Sequence, residues 1–469
     1  MPGAAAVSSS CSDPVSFEPE KDRSRRRRVL LMAYWCHPDT GMEARIGWYR
    51  AIQSARYWDT WIVFSNDQDL ELLSERIEAA GVSDSLHLVC LPPSRVERAL
   101  ARHQQFFYWS YGFWHRRAHR VAKRLHSEAP FDLVHQVSFC GYRQPGHLWK
   151  LGIPFVFGPV GGTQNFPWRF LPQVDLVGGL REVLRNVVNS WQLSFSRPVR
   201  RACRRASIVL AANSTGKRDL SRTQGIPVIR QLETGVELTP MRHRQQRRPS
   251  DPLRILWTGR LETWKALPLL LGALAKLPKT CRFELRILGI GKCRQRWQRL
   301  ADQLGIADSI QWLGWGTYSE LLPHYSWADV FAFTSLRDTS GSGLLEALAA
   351  GVPIIGVNHQ GAADIMTDDC AIPIPVARPQ ETIAAFREAI LTLANDAARL
   401  RRLSEGARAR ATKFLWAHQG DFIDRLYRQV LMGGELAAPH NESRPEVVPA
   451  ASEERLLIPA VASQSAAAF

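Results

Sequence analysis

The strongest constraint on the fold is an alternation of short, continuous apolar runs with helix-like stretches, written twice along the chain. In the first half the runs are Val29–Tyr34, Trp61–Phe64, Leu86–Cys90, Asp132–Val137, Pro154–Gly158, Ile208–Ala212 and Val228–Leu232. Runs without polar alternation suit strands buried on both faces, which means a parallel sheet covered by helices. Helical stretches such as Glu43–Ala55 and Leu70–Ala80 lie between them. A break at Thr239–Pro252, carrying prolines and a run of Arg and Gln, reads as a linker. The pattern then restarts, with strands expected at Arg254–Trp257, Arg282–Leu288, Ser309–Leu313, Val330–Thr334 and Pro353–Val357. Helices are expected at Ala266–Leu277 and Cys293–Gln303. A further helix, containing Leu344-Leu345-Glu346-Ala347, must stop where Gly351 can take a left-handed cap and Pro353 forbids continuation. The prediction is two doubly wound α/β domains in tandem, with a ligand crevice at the carboxyl ends of their strands.

A length of 469 residues supports more than one core. The expected boundaries are a basic, disordered segment over 1–26, a first domain over 27–238 and a linker over 239–252. A second domain follows over 253–415. A helix over 416–432 is expected to pack back on the first domain, before a disordered tail over 433–469. The eight cysteines are scattered without C-x-x-C spacing, which points away from zinc and disulfide frameworks and towards a reducing cytoplasm. No apolar run approaches the roughly 20 residues of a membrane-spanning helix. The net charge of +16 admits nucleic acid, an anionic membrane surface or phosphorylated substrates as partners. No nucleic-acid recognition motif accompanies it, so nucleic acid is not expected.

Chemistry concentrates in the second half. Gly259-Arg260-Leu261 follows a strand, and Lys265 opens the next helix, placing two cations at a strand-to-helix turn where backbone N–H groups also favour anions. A second strand delivers Thr334-Ser335-Leu336-Arg337-Asp338-Thr339-Ser340-Gly341-Ser342-Gly343, then Leu344-Leu345-Glu346 in a helix. Gly341 and Gly343 allow close approach of a ligand to the backbone. Glu346 sits among Leu344, Leu345, Ala347 and Leu348, neighbours that leave few exposed faces.

In this order and after these strands, the two elements resemble the family 4 retaining glycosyltransferases, the glycosyl transferases group 1. The resemblance is strongest from Leu253 to Pro375 and recognisable from Arg27 to Leu238. It implies a GT-B fold, two Rossmann-like domains facing each other across a cleft. It also implies that Arg260 and Lys265 hold the diphosphate of a nucleotide-sugar donor and that Glu346 takes the ribose hydroxyls. Asp338 stands where a first Glu is usual, and is carried with Arg260 and Lys265 as catalytic. Gly259, Ser340, Gly341, Ser342, Gly343 and Leu344 would form the donor loops, with Gly289 and Gly291 near the base. The chain departs from the family pattern with Asp338 for Glu, Ser340-Gly341 for Phe-Gly, Ala266 for Gly, and Thr234-Gly235-Val236-Glu237 for Asn-Gly-Val-Asp.

The resemblance further implies transfer with retention, aided by the leaving phosphate. Arg260 and Lys265 can supply much of what a divalent metal would, so no metal or cofactor is expected beyond the nucleotide-sugar co-substrate. In the first half, Gly41, Glu43, Gly161 and Gly162 are candidate acceptor-loop residues. Family members often carry two histidines separated by one residue at the strand where His135 is followed by Val137. His135 is a catalytic candidate, the alternative being a satisfied buried histidine. The aromatic run Phe106–Trp114, flanked by arginines, reads as a surface that stacks on bases, as a membrane-surface contact towards a lipid-linked acceptor, which the glycosyltransferase context favours, or as a helix face buried in the core. The expected location is cytoplasmic, peripheral on the inner face of the cell membrane. Rival readings are a sugar-nucleotide epimerase of related fold, a non-catalytic binding paralogue and, on charge alone, a nucleic-acid-binding protein.

Overall fold

The structure is a computed structural model that describes residues 26–66, 69–103, 106–139, 141–238, 251–316 and 318–433. The expected N-terminal segment before Arg26, the linker from 239 to 250 and the tail from 434 lie outside the described residues.

Seven strands form one parallel sheet in the order β3-β2-β1-β4-β5-β6-β7. They are β1 Arg28–Met32, β2 Asp59–Phe64, β3 Leu86–Cys90, β4 Leu133–Gln136, β5 Phe155–Val160, β6 Ile208–Ala211 and β7 Ile229–Arg230. Six more form a second parallel sheet in the order β10-β9-β8-β11-β12-β13. These are β8 Leu253–Thr258, β9 Phe283–Leu288, β10 Ile310–Gly314, β11 Val330–Phe333, β12 Ile354–Val357 and β13 Ala371–Ile374. Each central strand is buried on both faces, as its unbroken apolar run requires: every residue of β1, β4, β11 and β12 is inside. This is the GT-B architecture of two Rossmann-like domains.

The strand order reverses between β1 and β4 in the first sheet and between β8 and β11 in the second. Loops leaving the carboxyl ends of strands on either side of such a point diverge and open a crevice. The loop after β1 leads to the helix Gly41–Ala55, and the loop after β8 carries Gly259 to Lys265. The two crevices face one another.

The helix Trp416–Leu431 crosses back to the first domain. Trp416 stacks on Tyr49 at 4.6 Å, and the Trp58 indole N–H donates to Asp424 at 2.9 Å. The seam between domains is polar. Asn213 donates to the Thr339 carbonyl at 2.7 Å, Gln360 to the Asn165 carbonyl at 2.9 Å, and Arg337 to Glu182 at 3.1 Å.

The aromatic run Phe106–Trp114 is part buried and part exposed. In the helix Phe107–Glu128, Tyr111 and Trp114 are core residues, whereas Tyr108, Trp109 and Phe113 are exposed.

Candidate active site

The first wall of the cleft is built by glycines. A Cβ on Gly289 would lie 1.9 Å from the Gly259 carbonyl oxygen, and one on Gly291 would lie 2.3 Å from that of Leu261. Only hydrogen fits at these positions, so the turn after β9 presses directly on the turn after β8. Backbone bonds stitch them: Gly259 N–H to Leu288 at 3.0 Å and Leu261 N–H to Ile290 at 2.8 Å. Gly289 donates its own N–H to Gly314 at 2.6 Å. Arg260 is thereby fixed at the rim, exposed, and lining the cleft.

Lys265 ends a short 3-10 turn, Thr263–Lys265, and the next residue, Ala266, takes φ 47°. That left-handed conformation costs an L-residue about 1–2 kcal/mol, which is why glycine suits the position better. The Thr334 hydroxyl holds the Lys265 carbonyl at 2.5 Å. The Lys265 Nζ in turn sits 2.5 Å from Asp338 Oδ2 and 5.7 Å from the Phe333 ring centroid.

The second wall is the loop from β11 to the helix Ser342–Ala349. Gly341, at φ 64°, caps that helix in the left-handed region. The unpaired amides of the helix's first turn are an anion-favouring end, and Gly341, Ser342 and Gly343 line the cleft. A Cβ on Gly343 would stand 2.9 Å from Thr258 Oγ1, so the helix start lies close against β8. One turn further, Glu346 accepts a 2.7 Å hydrogen bond from the Tyr325 hydroxyl. Burial raises the Glu346 pKa, while the Tyr325 bond and the charge of Arg45 hold it down. Asp338 is oriented by its own backbone, its N–H donating to Gln360 Oε1 at 2.9 Å.

The first domain supplies the opposite side. Gly41 at φ 63° turns the chain into the helix Gly41–Ala55, whose first turn presents Glu43 and then Arg45 to the cleft. Burial raises the Glu43 pKa, with a hydrogen bond from the Phe139 backbone opposing it. Glu233 lies on the same side and accepts the Ser340 hydroxyl at 2.8 Å across the domain gap. Its pKa is pushed up to about 8, by burial first and then by the neighbouring charges of Glu43 and Asp338, against the Ser340 bond. The enclosed space is about 800 Å³, within the range of small-molecule sites.

The structure brings Gly259, Arg260, Lys265, Asp338, Ser340, Gly341, Ser342, Gly343, Glu346, Gly41 and Glu43 together around this one cleft. It corrects others. His135 does not reach it: the imidazole is completely buried, with Nε2 2.5 Å from the Gly158 carbonyl and Nδ1 2.5 Å from the Tyr427 hydroxyl. A carbonyl only accepts, so Nε2 carries the proton and Nδ1 receives the Tyr427 O–H. Burial drives its pKa down to about 3. His135 is a satisfied core histidine joining β4 to the last helix. Gly161 belongs to the seam instead, a Cβ there meeting the Thr339 side chain at 2.6 Å, and Gly162 packs beside Tyr142 of its own domain. Gly289 and Gly291 support the Arg260 turn from behind, and Leu344 is wholly buried.

Glu233, Arg45 and Tyr325 were not singled out from the sequence. Glu233 immediately precedes the Thr234-Gly235-Val236-Glu237 segment, and Arg45 lies two residues after Glu43 at the start of the same helix; both positions are signals the sequence offers. One Asp-x-Asp spacing occurs, Asp67-Gln68-Asp69, following β2; Asp67 and Gln68 lie outside the described residues.

Residues 240–410 match the profile of the glycosyl transferases group 1. The matched stretch spans all six strands of the second sheet. The chain is 32% identical over 189 residues to the D-inositol 3-phosphate glycosyltransferase of Stackebrandtia nassauensis, a stretch of 38% of this chain and 42% of that protein. It is 26% identical over 260 residues to the lipopolysaccharide core biosynthesis glycosyltransferase LpsD of Rhizobium meliloti, covering 51% of this chain and 73% of LpsD. Across the curated relatives, the chain generally spans about half of their length, as in matches covering 46%, 47% and 45%. Among solved structures, Anabaena Alr3699/HepE in complex with UDP and glucose superimposes with a TM-score of 0.53 at 16% identity, covering 86% of this chain and 100% of that one.

Proposed function

We propose that the chain is a family 4 retaining glycosyltransferase, moving a sugar from a nucleotide-diphosphate donor to a hydroxyl of a glycan or lipid-linked acceptor at the cytoplasmic face of a membrane. The observation that carries this reading is the convergence of Arg260, Lys265, the Ser342–Gly343 helix start and Glu346 on one cleft. When the anomeric bond to a nucleoside diphosphate breaks, the sugar gains oxocarbenium character and the departing phosphate gains charge. Fixed cations and helix amides stabilise that charge more in the transition state than in the ground state, which accelerates the step. A close charge pair contributes about 4 kcal/mol at an effective dielectric near 20. Two cations with a helix end therefore offer what a divalent metal would otherwise supply.

Glu346, held by Tyr325 on the floor, suits the paired hydroxyls of a ribose, and Asp338 reaches towards the sugar side. Glu43 and Glu233 face the donor loops from the first domain, where an acceptor hydroxyl would enter. Retention with the leaving phosphate removing the acceptor proton is consistent with a cleft whose buried carboxyl groups there are held towards their neutral forms. The UDP in the HepE structure makes uridine donors the first to try.

The test is a screen of UDP-, GDP- and ADP-sugars for binding and slow donor hydrolysis, run on the intact chain and on Lys265→Ala. Binding and hydrolysis of one nucleotide class, lost in the variant, is the expected result. No donor binding to the intact chain would overturn the proposal.

A further inference from the structure

The helix Leu176–Phe195 is turned inside out. Its buried positions are Glu182, Asn186, Asn189 and Leu193, so the face against the protein is mainly polar. Each polar residue there has a partner. Asn186 brackets the Phe166 backbone at 2.9 and 2.8 Å, Asn189 donates to the Thr163 carbonyl at 2.7 Å, and Glu182 accepts from Arg337. The outward face carries Leu176, Leu180, Leu184, Val187, Trp191 and Phe195, spaced by three and four residues along one side, with Val177 and Val188 exposed beside them. Leu176 is 92% exposed, Leu180 70%, Trp191 61% and Phe195 64%. A helix on a soluble surface normally directs such a stripe at the core, and a contiguous exposed one marks an interaction face.

We infer that this face docks the protein in the plane of an anionic lipid bilayer. The inference rests on the proposal above that the chain works at a membrane, and names the surface that meets it. Charge selects the occupant. From Leu176 to Arg205 the chain has seven arginines and a single carboxylate, Glu182, which is the buried partner of Arg337. In the next helix, Arg197–Arg205, the residues Val199, Ala202 and Cys203 face inward while the arginines at 197, 200, 201, 204 and 205 are exposed. A second copy of this chain would add a second set of the same cations to the interface, whereas lipid phosphates neutralise them. Trp191 and Phe195 stand at the arginine-rich end of the stripe, where aromatic rings favour the headgroup boundary. The exposed Tyr108 lies within electrostatic reach of Arg185, which places the Tyr108–Trp109 aromatics beside the same helix.

No helix among the described residues is long and apolar enough to cross a membrane, and a helix of this composition lies along the surface instead. The arrangement brings the bilayer to the cleft. Glu182 on the docked helix bonds Arg337, whose chain neighbour is Asp338. A hydroxyl on a lipid-linked acceptor would thus meet the donor without leaving the surface.

The full chain is sedimented with vesicles of phosphatidylcholine alone and of phosphatidylcholine mixed with phosphatidylglycerol. The variants are Leu180→Ser/Leu184→Ser/Trp191→Ser and, separately, Tyr108→Ser/Trp109→Ser. Sedimentation velocity without lipid runs in parallel, and melting temperature and nucleotide binding verify folding. The expected result is binding that needs the anionic lipid, weakened at least about tenfold in the triple variant, with the protein remaining monomeric. Equal binding by the intact chain and the triple variant would overturn the helix as the docking face and leave the membrane reading standing. Absence of binding to either vesicle would overturn both. A dimer abolished by the triple variant, with no vesicle binding, would assign the face to a second copy.

Discussion

The Ser340 hydroxyl of the second domain donates to Glu233 of the first at 2.8 Å, so a carboxyl group with a pKa near 8 bridges the two halves of the cleft. An acid whose pKa is raised on folding keeps its proton in the native state while the unfolded chain loses it. Its contribution to stability is therefore intact below the unfolded value near 4.5 and is lost as pH rises through about 8. Glu233→Gln preserves an acceptor for Ser340 and removes the titration. The variant should be more stable than the parent at pH 8.5 by at least about 1 kcal/mol, with the difference shrinking towards pH 5. Thermal unfolding across that range checks it, and a pH-independent difference would contradict the assignment.

Lys265 is the cation best placed to take up charge on a departing phosphate, and it rests against Asp338 at 2.5 Å. Lys265→Ala should lower turnover by roughly 10²–10³, the usual loss for one transition-state electrostatic contact. Donor affinity should fall less than turnover. Rate measurements at saturating donor distinguish the two effects, and near-parental turnover would remove Lys265 from the mechanism.

Tyr325 acts on Glu346 through one hydrogen bond of 2.7 Å. Burial already raises the Glu346 pKa, and the donated bond opposes that rise by stabilising the carboxylate. Tyr325→Phe should raise the pKa further, so nucleotide affinity, which needs the ionised acceptor, should be lost at a higher pH than in the parent. At pH 6 the loss should be about 1 kcal/mol, the net value of one such bond, and smaller at pH 8. Calorimetric titration with the nucleoside diphosphate chosen by the donor screen measures both.

The parts of this architecture that were legible in the sequence are those specified locally. Continuous apolar runs mark β1, β11 and β12 because a strand buried on both faces can carry little else. The turn at Gly259 and the cap at Gly341 were readable because their conformations restrict residue type. β13 escaped notice because it is short, carries Pro373 and lies at the sheet edge, where proline is tolerated. Glu233 and His135 depended on partners 107 and 292 positions away, Ser340 and Tyr427, which no local pattern announces. The Leu176–Phe195 helix inverts the rule by which periodicity is read, since its apolar side is not its buried side.

The Arg260 turn depends on the absence of a side chain behind it. A Cβ on Gly289 would fall 1.9 Å from the Gly259 carbonyl oxygen, a contact with backbone that no rotamer relieves. Gly289→Ala should cost about 1–3 kcal/mol through overpacking and displace Arg260, weakening donor binding as well. Gly305→Ala is the control. It changes a glycine at φ 68° with nothing within 4 Å of its Cβ position, so it should incur left-handed strain without touching the cleft. Binding lost equally in both would argue against a positioning role for Gly289.

The Arg337–Glu182 pair ties the donor domain to the inside-out helix at 3.1 Å, with side-chain exposures of only 13% and 3%. Arg337 also covers the Trp264 ring at 4.7 Å. A buried ion pair is expensive to break from one side, because the remaining charge is left without its partner in a poorly solvated place. Arg337→Met should therefore destabilise the chain by about 3 kcal/mol. Adding Glu182→Gln removes the stranded charge, so the double variant should recover at least about 1 kcal/mol. The order of melting temperatures, parent above double above single, is the signature of a coupled pair. If the double variant melts below the single one, Glu182 is stabilised by its other neighbours, among them Arg185, and the tie between the helix and the donor domain does not depend on this ion pair.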